Sequence, residues 1–477
     1  MNVADALSPI ELAAAGALRA LLADVGYAAL YHQFVSPTLF APGRAAATRS
    51  LGALERPERP LLELLALGGP VDEAELRDAT PGDGPSATLA PALAALLDAG
   101  LLVARGRALR TEGWVVVPAL GGLLMTGVPP TYEAAEAVGA AAYVGFDSLR
   151  LAAVLPRTAG RRVLDLGAGC GVQGLLAAGG ATEAVLSDVD ARSLRVAAFN
   201  AELNEVAHRV TLRCGDLYQA VVGERFDLIV ILPPYVPTVQ GSGTSGTVAG
   251  GPDGLGMIRR VVSGAAEALY PGGELVALCQ LLCDDRGPLL AGELGELAPG
   301  LDVRLAVDDW HPLQPYLVEL ATSLAGHRAG APPTERAALI ERYGRSLRPL
   351  GVTGVCTAVL RLRRPLAGRA ARPARVVGRA PAVRATDRPV PVEGLSFEPP
   401  SGVSLARVGE APAGLLEDPT VALVRAATGG GDVRAVAAAG WGHMAGASEE
   451  DLVDQAVHRL MGLEAQGLIG WSPVTDA

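Results

Sequence analysis

The chain has 477 residues, half of them hydrophobic but only 4% aromatic, with a formal net charge of −11. That length accommodates two or three domains, and the acidic balance speaks against a general nucleic-acid binder, whose affinity rests on neutralising phosphates. All forty basic residues are arginine, which reads as GC-rich coding before chemistry, so arginine alone marks no phosphate site.

The first eighteen residues hold Asp5 and Glu11 and no arginine, so they lack the basic start of a signal peptide. No uninterrupted apolar run reaches membrane-spanning length, and the expectation is a cytoplasmic protein without a membrane partner. The five cysteines, Cys170, Cys214, Cys279, Cys283 and Cys356, are scattered. Cys279 and Cys283 are spaced like helical neighbours, but no second ligand pair exists for zinc. Core thiols and no metal are expected.

Residues 1–125 read as helical. Glu11–Val25, Pro60–Leu67, Asp72–Ala79 and Ala87–Ala99 carry apolar residues at helical spacing. Gly100–Val103 and Trp114–Val117 then look like two short strands around a basic turn, which describes a winged-helix-like module. Tyr143-Val144-Gly145-Phe146-Asp147-Ser148 leads into an apolar helix, Leu149–Leu155, with Asp147 or Ser148 as candidate caps.

Val163–Leu175, VLDLGAGCGVQGL, is the most informative stretch. A buried strand ends in Asp165, and Gly167, Gly169 and Gly171 form a tight turn into a helix, letting backbone approach a ligand. A second strand, Ala184–Leu186, runs into Ser187-Asp188, where the acid can accept hydrogen bonds from both hydroxyls of a ribose. Asp190 is better placed than Asp188 to cap the helix Ala191–Asn200. The third strand, Val210–Arg213, ends in Gly215-Asp216-Leu217, and the fourth, Phe226–Ile231, ends in Leu232-Pro233-Pro234-Tyr235.

These four strand ends, over about 143–363, resemble the class I S-adenosylmethionine-dependent methyltransferases. The branch they look most like is the small-domain one, whose fourth strand ends in Asn-Pro-Pro-Tyr or Asp-Pro-Pro-Tyr. The resemblance implies an α/β, Rossmann-like fold: a mostly parallel seven-stranded sheet with a final antiparallel strand. It also implies S-adenosylmethionine as cofactor. Asp165 would orient the turn and approach the methionine amino group, with Gly167, Gly169, Cys170 and Gly171 against the methionine portion. Asp188 would bind the ribose, Asp216 the adenine amine, and Leu217 would pack the adenine ring. Leu232 completes the cofactor set at the end of the fourth strand. Pro233 and Tyr235 would form the catalytic shelf beside the methyl group, Pro233 through its carbonyl and Tyr235 by stacking on the substrate. Tyr143 and Asp147 would line the site.

One position departs from that pattern. The branch uses an Asn or Asp side chain to accept a hydrogen bond from the substrate NH2, and Leu232 accepts nothing. A glutamine amide or adenine amine placed there leaves a buried donor unpaired, at a cost of ~1–3 kcal/mol, or roughly tenfold to hundredfold in transition-state binding.

A loop rich in glycine, serine and threonine, Pro237–Gly254, follows the shelf and ends in Gly250-Gly251-Pro252-Asp253-Gly254-Leu255; it reads as a mobile lid. After a strand pattern at Val303–Ala306, Asp308-Asp309-Trp310-His311 reads as a loop. His311, with Asp309, is the candidate catalytic base for a protonated amine.

The catalytic domain is expected over 126–365, an arginine-rich linker over 366–399 and a second winged-helix-like domain over 400–477. Residues 361–390 hold nine arginines and one acid, Asp387. In the tail, Asp418–Ala427, Asp432–Ala439 and Ser448–Ala465 read as helices, the last opened by a Ser448–Asp451 capping box.

The missing amide acceptor, the acidic charge and the two flanking modules point to a peptide-like substrate methylated on an amine, with an oxygen as the less favoured acceptor. The substrate would be a peptide, a peptide-derived natural product or a small amine. In this the chain looks like methyltransferases that tailor ribosomally made peptides, of the daptide type. Two alternatives stay open: a protein glutamine or ribosomal RNA N-methyltransferase, and a non-catalytic cofactor-binding regulator that uses its winged helices on DNA or a partner. A homodimer through the winged-helix modules is the expected assembly.

Overall fold

A computed structural model describes residues 1–35, 51, 58–77, 87–119, 121–127, 144–156, 158–240, 248–326, 333–372, 374–377, 388–391 and 469–472. The chain packs as two compact units: Met1–Leu232 with Glu267–Gly273 and Glu319–Glu341, and Pro233–Ala266 with Glu274–Val318 and Arg342–Ala477.

The first unit opens with helices α1 (Val3–Ala6), α2 (Pro9–Asp24) and α3 (Tyr27–Phe34). A capping box starts α2: Ser8 accepts from Glu11 N–H and Glu11 from Ser8 N–H. Helix α4 (Arg59–Leu65), strand β1 (Val71–Asp72), helices α5 (Glu73–Arg77) and α6 (Leu89–Asp98) and strands β2 (Leu102–Arg105) and β3 (Ala108–Thr111) follow. They close an antiparallel sheet in the order β1-β3-β2.

The sequence paired Gly100–Val103 with Trp114–Val117, and the structure corrects this. Gly106 (φ +65°) and Arg107 turn β2 directly into β3, as a two-residue hairpin loop with a left-handed glycine does. Trp114 instead opens β4 (Trp114–Ala119), which pairs with β5 (Gly122–Gly127).

Four parallel strands form the heart of this unit: β6 (Arg162–Leu166), β7 (Glu183–Asp188), β8 (Val210–Cys214) and β9 (Phe226–Ile231), in the order β8-β7-β6-β9. Every residue of β6 except Arg162 is buried, the continuous burial of a strand covered on both faces. Helix α7 (Phe146–Ala153) precedes β6; α8 (Val172–Ala178) links β6 to β7 and α9 (Ala191–Leu203) links β7 to β8. Asp190 caps α9 by accepting Arg192 N–H at 3.0 Å, as its position suggested. Gly145 sits at the cap position of α7 with no side-chain cap, so neither Asp147 nor Ser148 fills that role.

Residues on both sides of position 125 share one core, Leu18, Leu21, Val116 and Leu124 with Leu194, Ala198 and Phe199. Arg195 on α9 holds Glu11 of α2 through two bonds of 2.8 and 2.7 Å, and Arg19 donates to the Glu202 carbonyl at 2.9 Å.

Helix α10 (Gly256–Ala268) leads into β10 (Leu269–Asp284); both belong mostly to the second unit, with Glu267–Gly273 counted in the first. Strand β13 (Gly354–Arg363) runs antiparallel to both β10 and β12 (Asp302–Pro312), which supplies the expected antiparallel strand. Two short strands add to the expected seven: β11 (Gly287–Pro288) beside β10 and β14 (Arg375–Val377) parallel to β12. The arginine-rich connector is therefore partly ordered into sheet, and β15 (Arg388–Pro391) pairs with β16 (Ile469–Ser472). Cys279 and Cys283, at helical spacing, lie on β10, both buried. The α/β fold of a class I methyltransferase is thus present. Tyr143 and the tail helices with the Ser448–Asp451 box lie outside the described residues.

Candidate functional site

The turn after β6 is fixed from β7. Gly167 and Ala168 N–H both donate to the Ser187 carbonyl, at 2.8 and 2.9 Å, and Gly169 N–H donates to Asp188 Oδ2 at 2.8 Å. Gly167, Gly169 and Gly171 all take left-handed backbone, with φ of +73°, +56° and +90°. At Gly171 the geometry also demands glycine. A Cβ there would sit 3.0 Å from Leu175 Cδ1 and Leu186 Cδ2 and 3.1 Å from Ala197 Cβ. Over Gly167 the space is open, with nothing within 4 Å of where a Cβ would lie.

Asp188 has two tasks in one carboxylate. Oδ2 holds the turn, and Oδ1 accepts Asp190 N–H at 2.9 Å. Each carboxylate oxygen accepts more than one donor, so both hydroxyls of a ribose can still be received. Asp165 is 2% exposed, and its Oδ2 accepts Gly174 N–H at 2.7 Å inside the first turn of α8. Burial pushes its carboxyl up to about 7, opposed by the Gly174 N–H and reinforced by the charge of Asp188. Through this bond it ties the end of β6 to the start of α8. Cys170 is buried, and burial raises its thiol to about 11, so it offers no thiolate near neutral pH.

Asp216 precedes a short 3-10 turn, 217–221, and makes no side-chain cap. Leu217 holds φ +49°, a left-handed conformation that costs a branched residue ~1–2 kcal/mol. Strain of this kind clusters where ligands are clamped, and here it falls on the residue expected to pack the adenine. Asp165, the glycine turn and Asp188 are thereby brought together by hydrogen bonds, while Asp216 and Leu217 stand at the end of neighbouring β8. Gly215 N–H donates to the Asp188 carbonyl at 2.9 Å.

In the second unit Pro233 is buried and Tyr235 half-buried; Leu232, the last residue of the first unit, is half-buried as well. The shelf is strapped by the glycine-rich segment that follows it. Val236 N–H donates to Val248 O at 2.9 Å, Gly250 N–H to Val236 O at 2.8 Å and Thr238 N–H to Gly251 O at 2.7 Å. A Cβ on Gly250 would lie 2.8 Å from the Tyr235 carbonyl carbon. Asp253 accepts Leu255 N–H at 3.0 Å and pairs with Arg259 at 2.7 Å, and Arg259 also grips Glu293 through two bonds of 2.6 and 2.7 Å. Burial pushes the Asp253 carboxyl up, but Arg259 and the Leu255 N–H outweigh it and hold it below its ordinary value. The end of the expected lid is thus a fixed strap; residues 241–247 lie outside the described residues.

His311 is not in a loop. Strand β12 continues through it, exposed and opposite Val355; Asp308 stays in register with Thr357, and a bulge between Asp308 and Trp310 takes up Asp309. Sequence reasoning missed Asn200, which is fully buried on α9 and bonds to the Cys170 carbonyl of the turn at 2.9 Å. The available signal was a pair of asparagines four residues apart, Asn200 and Asn204, on an alanine-rich helix. Among the described residues no group of three or more His, Cys, Asp or Glu could hold a metal ion, and no helix is long and apolar enough to cross a membrane.

Residues 134–282, less than half of the chain, match the family model described as methyltransferase small domain. Similar proteins include the release factor glutamine methyltransferase of Xylella fastidiosa, 40% identical over 126 residues, 24% of this chain and 46% of that one. The ribosomal protein uL3 glutamine methyltransferase of Bradyrhizobium diazoefficiens is 38% identical over 129 residues, 25% of this chain and 40% of that one. The chain thus spans under half the length of these relatives. Among solved structures, a Haemonchus contortus phosphoethanolamine N-methyltransferase in complex with S-adenosylhomocysteine is 18% identical, covering 46% of this chain and 53% of that one, with a TM-score of 0.28.

Proposed function

We propose that the chain is an S-adenosylmethionine-dependent methyltransferase acting on a nitrogen of a polypeptide. The observation that carries this is the clasp between Asp188 and the left-handed glycine turn, inside the segment that matches the methyltransferase model. Three features support the cofactor at that turn: Asp188 retains acceptor capacity for a ribose, Gly167 faces open space, and the left-handed Leu217 is the residue that the family resemblance assigns to the adenine. When bound, the cofactor supplies a methyl group activated on a sulfonium. The chain must hold it, orient the nucleophile and take up a proton. Pro233 offers a carbonyl acceptor to the nitrogen's hydrogen, and Tyr235, held by the strap, offers a flat face for the acceptor group.

The relatives act on release factor and uL3 glutamine, so the comparisons favour a protein glutamine acceptor over the natural-product tailoring that the sequence suggested. A second reading, methylation of a peptide amine, rests on Leu232, which cannot accept from a glutamine NH2. The winged-helix reading of the N-terminal module fits the element order α4-β1-α5-α6-β2-β3. Its DNA-binding version does not fit α6, whose exposed residues Ala90, Pro91, Ala94, Leu97 and Asp98 carry no positive charge.

Calorimetry with S-adenosylmethionine, wild type beside Asp188→Ala, tests the reading, followed by transfer of labelled methyl to a release-factor fragment and to a peptide with a free terminal amine. Binding that the variant loses, with label on either nitrogen, is expected. No binding by the wild type would refute it. A Leu232→Asn variant that shifts label from the amine to glutamine would assign Leu232 the choice between them.

A further inference from the structure

Asn200 in the last turn of α9 and Asn204 at its C-cap lie four residues apart and together pair with the edge of β5. Asn204 accepts Leu123 N–H at 2.8 Å and donates to Leu123 O at 2.6 Å. Asn200 accepts Met125 N–H at 2.7 Å and donates to Met125 O at 2.8 Å. Four residues of helix rise about 6 Å and two residues of strand about 6.8 Å. The two carboxamides therefore meet successive edge groups of β5, as a neighbouring strand would. Gly122 leaves room for this, since a Cβ there would stand 3.0 Å from Asn204 Oδ1.

The two asparagines differ in where their second Nδ2 bond goes and in burial: Asn204, half-buried, donates to the Asn200 carbonyl at 2.7 Å, within the helix end. Asn200 Nδ2 makes a further bond, to the Cys170 carbonyl between Gly169 and Gly171 at 2.9 Å, and Asn200 is fully buried. Beside it the Cys170 thiol is bonded to the side chain of Thr126, which accepts Val144 N–H at 3.0 Å. The glycine turn is thus held by β7 on one side and, through Asn200 and Thr126, by the N-terminal hairpin on the other. The peptide that carries the Cys170 carbonyl is held from both ends: Gly171 N–H donates to Ala168 O at 2.8 Å, within the turn, and the carbonyl accepts from Asn200.

We propose that Asn200 is a positioning residue for the cofactor turn, and that it couples cofactor binding to the docking of β5. This rests on the turn being the S-adenosylmethionine site. An alanine at 200 leaves the Cys170 carbonyl and both Met125 groups without the Asn200 side chain as their buried partner, and the turn keeps only its own Gly171–Ala168 bond at that peptide. The coupling is reciprocal: a ligand that holds the turn must also hold Met125.

The test compares Asn200→Ala with Asn204→Ala, which removes the same kind of strand contact but none to the turn. S-adenosylhomocysteine is titrated by calorimetry, and melting is followed without ligand. Both variants are expected to melt lower; Asn200→Ala should bind about tenfold more weakly, Asn204→Ala within about twofold of wild type. In the wild type, hydrogen exchange over residues 122–127 should slow when S-adenosylhomocysteine is added, a readout that needs no variant to fold. Equal loss of affinity in both variants, no loss in either, or exchange indifferent to the ligand would overturn the proposal. If the wild type binds no S-adenosylhomocysteine, the cofactor reading itself falls and takes this inference with it.

Discussion

Removing the charge of Asp165 should change how stability depends on pH. The carboxyl is fully buried and raised from 3.8 to about 7 in the folded chain. Between those values the unfolded chain carries the carboxylate while the folded chain holds the proton, so the folded state binds more protons. Stability contributed by the protonated group is fully present below about pH 4 and is lost as pH rises through 7. The whole interval corresponds to ~4 kcal/mol, and the portion between pH 5 and 8 to ~3 kcal/mol. An Asp165→Asn substitution keeps an acceptor for Gly174 N–H and carries no charge, so the variant should gain ~3 kcal/mol on the wild type between pH 5 and 8. Urea unfolding of both proteins without ligand at pH 5, 6, 7 and 8 measures this difference directly, and other titrating groups cancel in it. Curves that stay parallel within ~0.5 kcal/mol would refute the reasoning, because the carboxyl would then be ionised in the folded chain at no cost.

Gly174→Ala places a Cβ 2.5 Å from Leu186 Cδ1 and 3.0 Å from Asp165 Cβ. It should destabilise by ~1–3 kcal/mol in urea unfolding, and an unchanged midpoint would mean that α8 shifts freely. Arg259→Lys loses the fork that joins Asp253 to Glu293. These pairs are about a third exposed, so the stability loss should stay within ~1 kcal/mol. Methyl transfer should slow by roughly tenfold as the strap behind Tyr235 loosens, with cofactor affinity unchanged. Single-turnover kinetics beside calorimetry separates the two, and an unaltered rate would remove the strap from the mechanism.

The strand ends were legible because each is a short buried apolar run stopped by an acid, a glycine or a proline. That pattern records both burial and backbone demand in residue type. Asp190 was legible for the same reason, since a cap is a local bond. Less readable was the pairing of Trp114, because Glu112-Gly113 lets the chain leave one hairpin for another and nothing local says which strand β4 will join. His311 was misread because Asp308-Asp309 has the composition of a loop, and a bulge lets a strand carry it. Asn200 was invisible for a deeper reason. Its partners, Met125 and Cys170, lie 75 and 30 residues away, and a helix sequence does not announce which backbone groups its amides will meet.

The family likeness begins at residue 134, but the physical seam does not. A fragment cut there would bare the helix surface that residues 1–127 cover, with two carboxamides stripped of their strand and the carbons around Leu194 and Ala198 turned to water. For anyone building chimeras between this chain and its relatives, α9 and the N-terminal hairpin are a matched pair to be inherited together. A graft that takes one without the other exchanges a buried joint for an adhesive patch, and its failure would say nothing about the chemistry of the parent.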